Sequence, residues 1–260
     1  MERFDLPVLF FDSGVGGISI LRRSVRLLPC EDYLYFGDSL HAPYGVRSLG
    51  EVRELCLNAL EPRIARGVKA LVVACNTATS AAIATLRERY PDLIVIGTEP
   101  AIKPAVERHE GGRILVMATP MTLKEEKFLA LQAQYQPRAE IIPLPCPGLM
   151  EFVEQGVTSG GAVEGYLLDK LEPYRNVPVS AIVLGCTHYP FLTGAIRKLV
   201  GRQPEIMDGS HGVAMQLQRK LQEQGMLRTA ETPGTVEFQN SLDEPEILAL
   251  SRALFQYREV

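Results

Sequence analysis

The chain has 260 residues, 46% of them hydrophobic, which is enough to bury one large core or two smaller ones and too apolar for disorder. Its 27 basic and 31 acidic residues leave a formal charge of −4, and no Lys/Arg run tracks a phosphate backbone, so nucleic acid is not an expected partner. No apolar stretch approaches the roughly 20 residues that span a bilayer, the N-terminus MERFDLPVLFFDSG lacks a signal-peptide cleavage site, and the five cysteines form no C-x-x-C pair, so the expectation is a reduced, cytoplasmic protein without a membrane anchor, a disulfide framework or a zinc site.

Short β-rich runs alternate with helix-period segments along the first hundred residues. VLFFDS leads to ISILRRSVRLL, YLYFGD to SLGEVRELCLNALEPRIARG, and ALVVAC to TATSAAIATLRERY. This alternation predicts an α/β fold with a mostly parallel sheet covered on both faces by helices. After LIVIGTEPAIKPAVERH the pattern restarts with RILVMAT, a helix around Leu123 to Gln134, EIIPLP, a helix near Glu151, a helix from Gly161 to Leu171, and SAIVLGC. KALVVACNTATS matches SAIVLGCTHYPF at an offset of 111 residues, and the ends of VLFFD and ILVMAT match at 107, which suggests duplication. The second series is complete by Met207. The tail, with a helix from about Gly212 to Gln224, a strand TVEFQNS and a helix opening at Pro245, is expected to return to the first domain. The domains are thus residues 1–97 plus 208–260, and residues 98–207.

Two segments share one design, an apolar strand ending in Cys with a helix opening behind it. Asn76 and Thr77 follow Cys75; Thr187 and His188 follow Cys186. Ligands bind beyond the carboxyl ends of strands in open α/β sheets, and a helix N-terminus there favours thiolate, whose unperturbed pKa is about 8.5. Cys75 and Cys186 are therefore the candidates for activated sulfur, while Cys30, Cys56 and Cys146 read as packing residues. His188 can poise the neighbouring thiol or hold a carboxylate; the alternative is a hydrogen-bonded packing histidine.

FFDSGVGG has the G-x-G of a dinucleotide fingerprint, but its third glycine would fall at Ser19, and Asp12 would face any bound phosphate. A tight turn that presents Asp12 as a base or ammonium partner and Ser13 as a polar contact suits the residues better, with helix capping by Asp12 as the alternative. Without a P-loop lysine or a metal-ligand cluster, neither a cofactor nor a metal is expected. A pyridoxal phosphate lysine would leave no motif to read.

FDSGVGG, GDSLHAPYG, ACNTATS, GTEPAIKPA, CPGLMEFVEQG and GCTHYP stand in the order seen in glutamate racemases, and the chain resembles that family of the aspartate/glutamate racemase superfamily over most of its length. The resemblance implies two pseudo-symmetric α/β domains with the active site in a closed interdomain cleft, and cofactor-independent interconversion of L- and D-glutamate that feeds peptidoglycan synthesis. It further implies that Cys75 and Cys186 are the catalytic thiols, assisted by Asp12, His188 and Glu154. Asp12, Ser13, Tyr44, Gly45, Asn76, Thr77, Thr187 and His188 would surround the substrate. Many relatives have Thr-Ala-Arg where this chain has Ser39, Leu40 and His41. Glutamate is the expected partner, and a homodimer is an open expectation. On the residues alone an aspartate or broad-specificity racemase, a decarboxylase or isomerase of the superfamily, and a non-catalytic anion-binding module all remain alternatives.

Inverting an α-carbon means removing its hydrogen from one face and returning one to the other. Two tunable thiols achieve this without rotating a carbanion, one acting as base while the other stays protonated as acid.

Overall fold

The computed structural model describes residues 3–257. Two compact units divide them, one taking the chain to Thr98 and Ser210–Gln256, the other Glu99–Gly209 and Tyr257.

The first unit opens with β1 (Val8–Asp12), α1 (Ile18–Leu27), β2 (Tyr33–Gly37), α2 (Leu49–Ala65), β3 (Ala70–Val73), α3 (Asn76–Arg89) and β4 (Ile94–Gly97). Every residue of β1 and β3 is buried, the continuous apolar pattern of parallel strands covered on both faces. Helix α2 starts at a capping box in which Ser48 and Glu51 satisfy each other's backbone amides, and it buries Val52, Cys56 and Leu60 at four-residue spacing. That stripe, with Leu9, Phe11, Leu71 and Val73 from the sheet, makes the core on one side.

The second unit follows with α4 (Ile102–Arg108), β5 (Arg113–Ala118), α5 (Glu126–Tyr135), β6 (Glu140–Pro145), α6 (Leu149–Glu154), α7 (Gly161–Leu171), β7 (Ala181–Leu184), α8 (Thr193–Val200) and β8 (Glu205–Asp208). Alternate residues of β5, Ile114, Val116 and Ala118, join Ala181 and Val183 of β7 in a core closed by α4 and α5. Helix α7 buries Val163, Leu167 and Leu171, again at four-residue spacing, as its predicted span requires.

The chain then runs through α9 (Ser210–Glu223), β9 (Val236–Asn240) and α10 (Pro245–Gln256). The tail returns to the first sheet, because β9 pairs in parallel with β2 over Tyr33 to Gly37. At the opposite end of that sheet, Glu31 forms a buried ion pair with Lys69 and accepts from the Arg228 amide at 2.9 Å, tying the tail to the strands' amino ends.

All strand pairings are parallel, with the orders β4-β3-β1-β2-β9 and β6-β5-β7-β8. Taken from its other edge, the second sheet is β8-β7-β5-β6, the first four strands of the first sheet with each number raised by four. This repeat of topology is the structural counterpart of the sequence duplication. In each sheet the chain leaves the central strand to one side and then crosses to the other, so the switch points lie between β1 and β3 and between β5 and β7.

The register refines the internal alignment. Val8 pairs with Ala70 and Ile114 with Ala181, so residues of β1 match β5 at an offset of 106 while β3 matches β7 at 111. Asp12 therefore corresponds to Ala118, one residue before the Thr119 that the strand-end comparison selects.

Candidate active site

Both cysteines are delivered to their switch points by one hydrogen bond. The residue before each cysteine donates its amide to the central strand: Ala74 to the Phe11 carbonyl and Gly185 to the Met117 carbonyl, both at 2.7 Å. The parallel ladder thus ends one residue short of the thiol and aims it beyond the carboxyl end of the sheet.

In the first unit Cys75 is the N-cap of α3, and its sulfur accepts from the Ala78 amide at 3.4 Å. A thiolate suits this place, since the amide and the positive end of the helix dipole both favour negative charge. Ser13 Oγ lies 3.5 Å from the same sulfur. Asp12, fully buried at the end of β1, accepts from the Gly14 amide at 2.9 Å through Oδ1. Capping of α1 is not its role, because the N-cap there is Gly17, with no side-chain cap. Glycines allow close packing around the turn: a Cβ on Gly17 would come within 2.8 Å of the Cβ atoms of Asp12 and Ala74, and one on Gly37, at the end of β2, within 2.4 Å of the Gly14 carbonyl oxygen. A tight turn over Ser13 to Gly17 joins β1 to α1.

Asn76 and Thr77 form the first turn of α3, with Thr77 buried, and Tyr44 and Gly45 stand in a short 3₁₀ turn, Tyr44–Val46. The Tyr44 hydroxyl donates to Asp38 Oδ2 at 2.6 Å, and His41 Nδ1 lies 2.9 Å from Asp38 Oδ1. Burial first, then the neighbouring Cys56 and Asp38, pushes the Tyr44 phenol far above its ordinary pKa of 10. Asp38 is a residue to which sequence reasoning gave no role. Its one local signal is its place directly after the end of β2.

In the second unit the helix expected directly behind Cys186 begins later. His188 caps a 3₁₀ turn, Tyr189–Leu192, and α8 follows it. The amide three residues on, that of Tyr189, donates to the Cys186 carbonyl at 3.1 Å. A side chain takes over: His188 Nδ1 lies 3.6 Å from Cys186 Sγ, and Nε2 lies 2.6 Å from Glu154 Oε1. Burial pulls the His188 pKa down, but the hydrogen bonds and charges of Cys186 and Glu154 outweigh it, and the net shift is well above 6.5. The two contacts favour the protonated imidazole when the sulfur is thiolate. Thr187, between the two, is buried.

Cys56 and Cys146 are buried, as packing residues should be, and Cys30 is half-buried. Burial pushes the Cys146 thiol up to about 12 and the Cys56 thiol well above 9, far from the range of a working base. Among the described residues no cluster of three or more His, Cys, Asp or Glu could hold a metal ion, and no helix is long and apolar enough to cross a membrane.

The family model described as Asp/Glu/Hydantoin racemase matches residues 21–216. The glutamate racemase of Clostridium perfringens is 49% identical over 252 residues, covering 97% of each chain. That of Clostridium novyi is 50% identical over 255 residues, covering 98% of each. The crystal structure of glutamate racemase from Francisella tularensis in complex with D-glutamate superposes with a TM-score of 0.84 at 27% identity, covering 99% of this chain and 96% of that one. Two thiols at equivalent strand ends, on a repeated parallel topology and with full-length similarity of this kind, identify the chain as a member of the Asp/Glu/hydantoin racemase family.

Proposed function

We propose that the chain interconverts L- and D-glutamate without a cofactor, with Cys75 and Cys186 as acid/base thiols on opposite faces of the substrate α-carbon. The observation that carries this reading is the equivalence of the two cysteines, each presented at the switch point of its own sheet beside groups that favour thiolate.

In one direction the Cys75 thiolate takes the α-hydrogen as a proton and the electron pair stays on the α-carbon. The Cys186 thiol then gives its proton to the other face, leaving Cys75 protonated and Cys186 as thiolate. The reverse reaction exchanges these roles. His188, oriented by Glu154, stabilises the Cys186 thiolate as it forms. On the other side the Ala78 amide does the same for Cys75, and Ser13 offers a neutral hydroxyl. Asp12 assists from the end of β1, where a carboxylate can hold the substrate ammonium. Asn76, Thr77 and Thr187 supply amide and hydroxyl groups for the substrate carboxylates, and Tyr44 and Gly45 a further wall. The proposal includes a cytoplasmic setting and supply of D-glutamate to peptidoglycan precursors.

A chiral assay with L-glutamate and L-aspartate, run without added cofactor, tests the reading. Glutamate enantiomers should interconvert with little action on aspartate, and activity should survive dialysis and chelator. Equal rates on both substrates would remove the specificity, and loss of activity with a bound chromophore would remove the cofactor-free mechanism.

A further inference from the structure

The loop behind β2 holds a polar network, buried at Asp38 and Tyr44 and half-exposed at His41, for which the two-thiol scheme has no use. Asp38 is buried, and its amide donates to the Asp12 carbonyl at 2.9 Å, which ties its position to the strand end carrying Asp12 and Ser13. Its carboxylate is divided between two partners. Oδ2 accepts the Tyr44 hydroxyl at 2.6 Å, and His41 Nδ1 lies 2.9 and 3.0 Å from Oδ1 and Oδ2.

Tyr44 is itself buried, with its ring 6.4 Å from that of Phe11. Its proton is committed to Asp38, so the phenol serves as an anchor, and the Pro43–Gly45 backbone is what Tyr44 brings to a ligand. The outer side of the loop is clamped by the tail: Asn240 Nδ2 donates to Ser39 Oγ at 2.8 Å, and the Leu40 amide donates to Ser241 Oγ at 2.9 Å. Arg47 Nε closes the segment by donating to the His41 carbonyl at 3.0 Å.

We infer that Asp38 and His41 are positioning residues for substrate binding: they lock the Tyr44 phenol, hold the Pro43–Gly45 turn in the shape that receives glutamate, and take no part in moving the α-proton. This rests on the glutamate reading above. The distinction matters because a buried carboxylate beside the strand end that carries Asp12 is otherwise a natural candidate for proton transfer.

Steady-state kinetics on Tyr44→Phe, Asp38→Ala and the double variant separate the two roles, with thermal scans to confirm folding. Removing a charge-assisted hydrogen bond should raise the KM for glutamate about tenfold and leave kcat within about twofold. The double variant should be no worse than the worse single one, because both break the same contact. Asp38→Asn should recover most of the loss, since its amide oxygen still accepts from the phenol. Tyr44→Phe removes one oxygen atom and keeps the test open if Asp38→Ala does not fold. A fall in kcat at unchanged KM, or additive effects in the double variant, would overturn this inference alone. An unsubstituted chain that leaves glutamate unchanged would overturn it together with the functional reading.

Discussion

The two strand-end thiols occupy equivalent places and are stabilised by different means. Cys75 leans on backbone: it caps α3, and its sulfur takes the Ala78 amide. Cys186 leans on side chains: a proline-containing 3₁₀ turn follows it, and the His188–Glu154 pair stands where the helix cap would be. The carboxylates are distributed in a complementary way. In the first unit they sit at the ends of β1 and β2, as Asp12 and Asp38, whereas the corresponding places in the second unit hold Ala118 and Cys146, whose amide donates to the Ala118 carbonyl as that of Asp38 donates to Asp12. The second unit brings its carboxylate from α6 instead, through histidine. A duplicated scaffold thus preserves where the sulfur goes, while the means of stabilising it diverges.

The largest expected effect treats the two sides as equal. Cys75→Ser and Cys186→Ser should each leave folding intact and lower racemisation by about a thousandfold, because a hydroxyl is a far poorer base at neutral pH. A chiral assay on the purified variants checks this, and full activity in either one would break the pairing.

The next effect separates them. His188→Asn removes the imidazole beside Cys186, and racemisation should fall by about 10- to 100-fold. The two enantiomers have equal free energy in water, so kcat/KM must fall equally in both directions. Peptide-resolved alkylation shows where the change lies: Cys186 should react more slowly at neutral pH, while Cys75 keeps its rate. The same substitution has a stability signature. The folded His188 pKa is raised above 6.5, so its contribution is fully present just below that pH and is lost as pH rises through the folded value. Denaturant titrations should therefore show wild type and variant converging in the alkaline range. Equal slowing of both cysteines would mean that His188 acts on the whole fold.

The smallest effect belongs to the other side. Ser13→Ala removes one neutral contact to Cys75 at 3.5 Å, and a loss of about two- to fivefold in kcat is expected from a single uncharged hydrogen bond, measurable in the same assay. A loss as large as that of His188→Asn would show that the Ala78 amide is not the main support of Cys75.

Most of the scaffold was legible because parallel strands buried on both faces leave unbroken apolar runs. VLFF, ALVV and AIVL each became a fully buried strand segment, and the helix read from Gly161 to Leu171 spans those residues, burying Val163, Leu167 and Leu171. The strand-end cysteines were legible because the switch point of an open sheet is a position defined by topology. The form of the segment after Cys186 was not, since small polar residues announce a helix start while the proline within the turn delays it. Glu154 entered only through family resemblance: nothing local to α6 says that a histidine 34 residues onward will take its carboxylate. Asp38 was passed over because its partners, Tyr44 and His41, lie across a turn whose path the sequence pattern does not determine.

The central claim, that two thiols act on opposite faces of one carbon, is tested most directly by racemisation in deuterated water at low conversion. The donating thiol carries a hydrogen from solvent while the abstracting thiolate keeps that of the substrate. The product enantiomer should therefore hold deuterium at the α-carbon, and the recovered substrate should remain largely protiated. Early product that retains most of its original α-hydrogen would instead require a single base serving both faces, and would contradict the account.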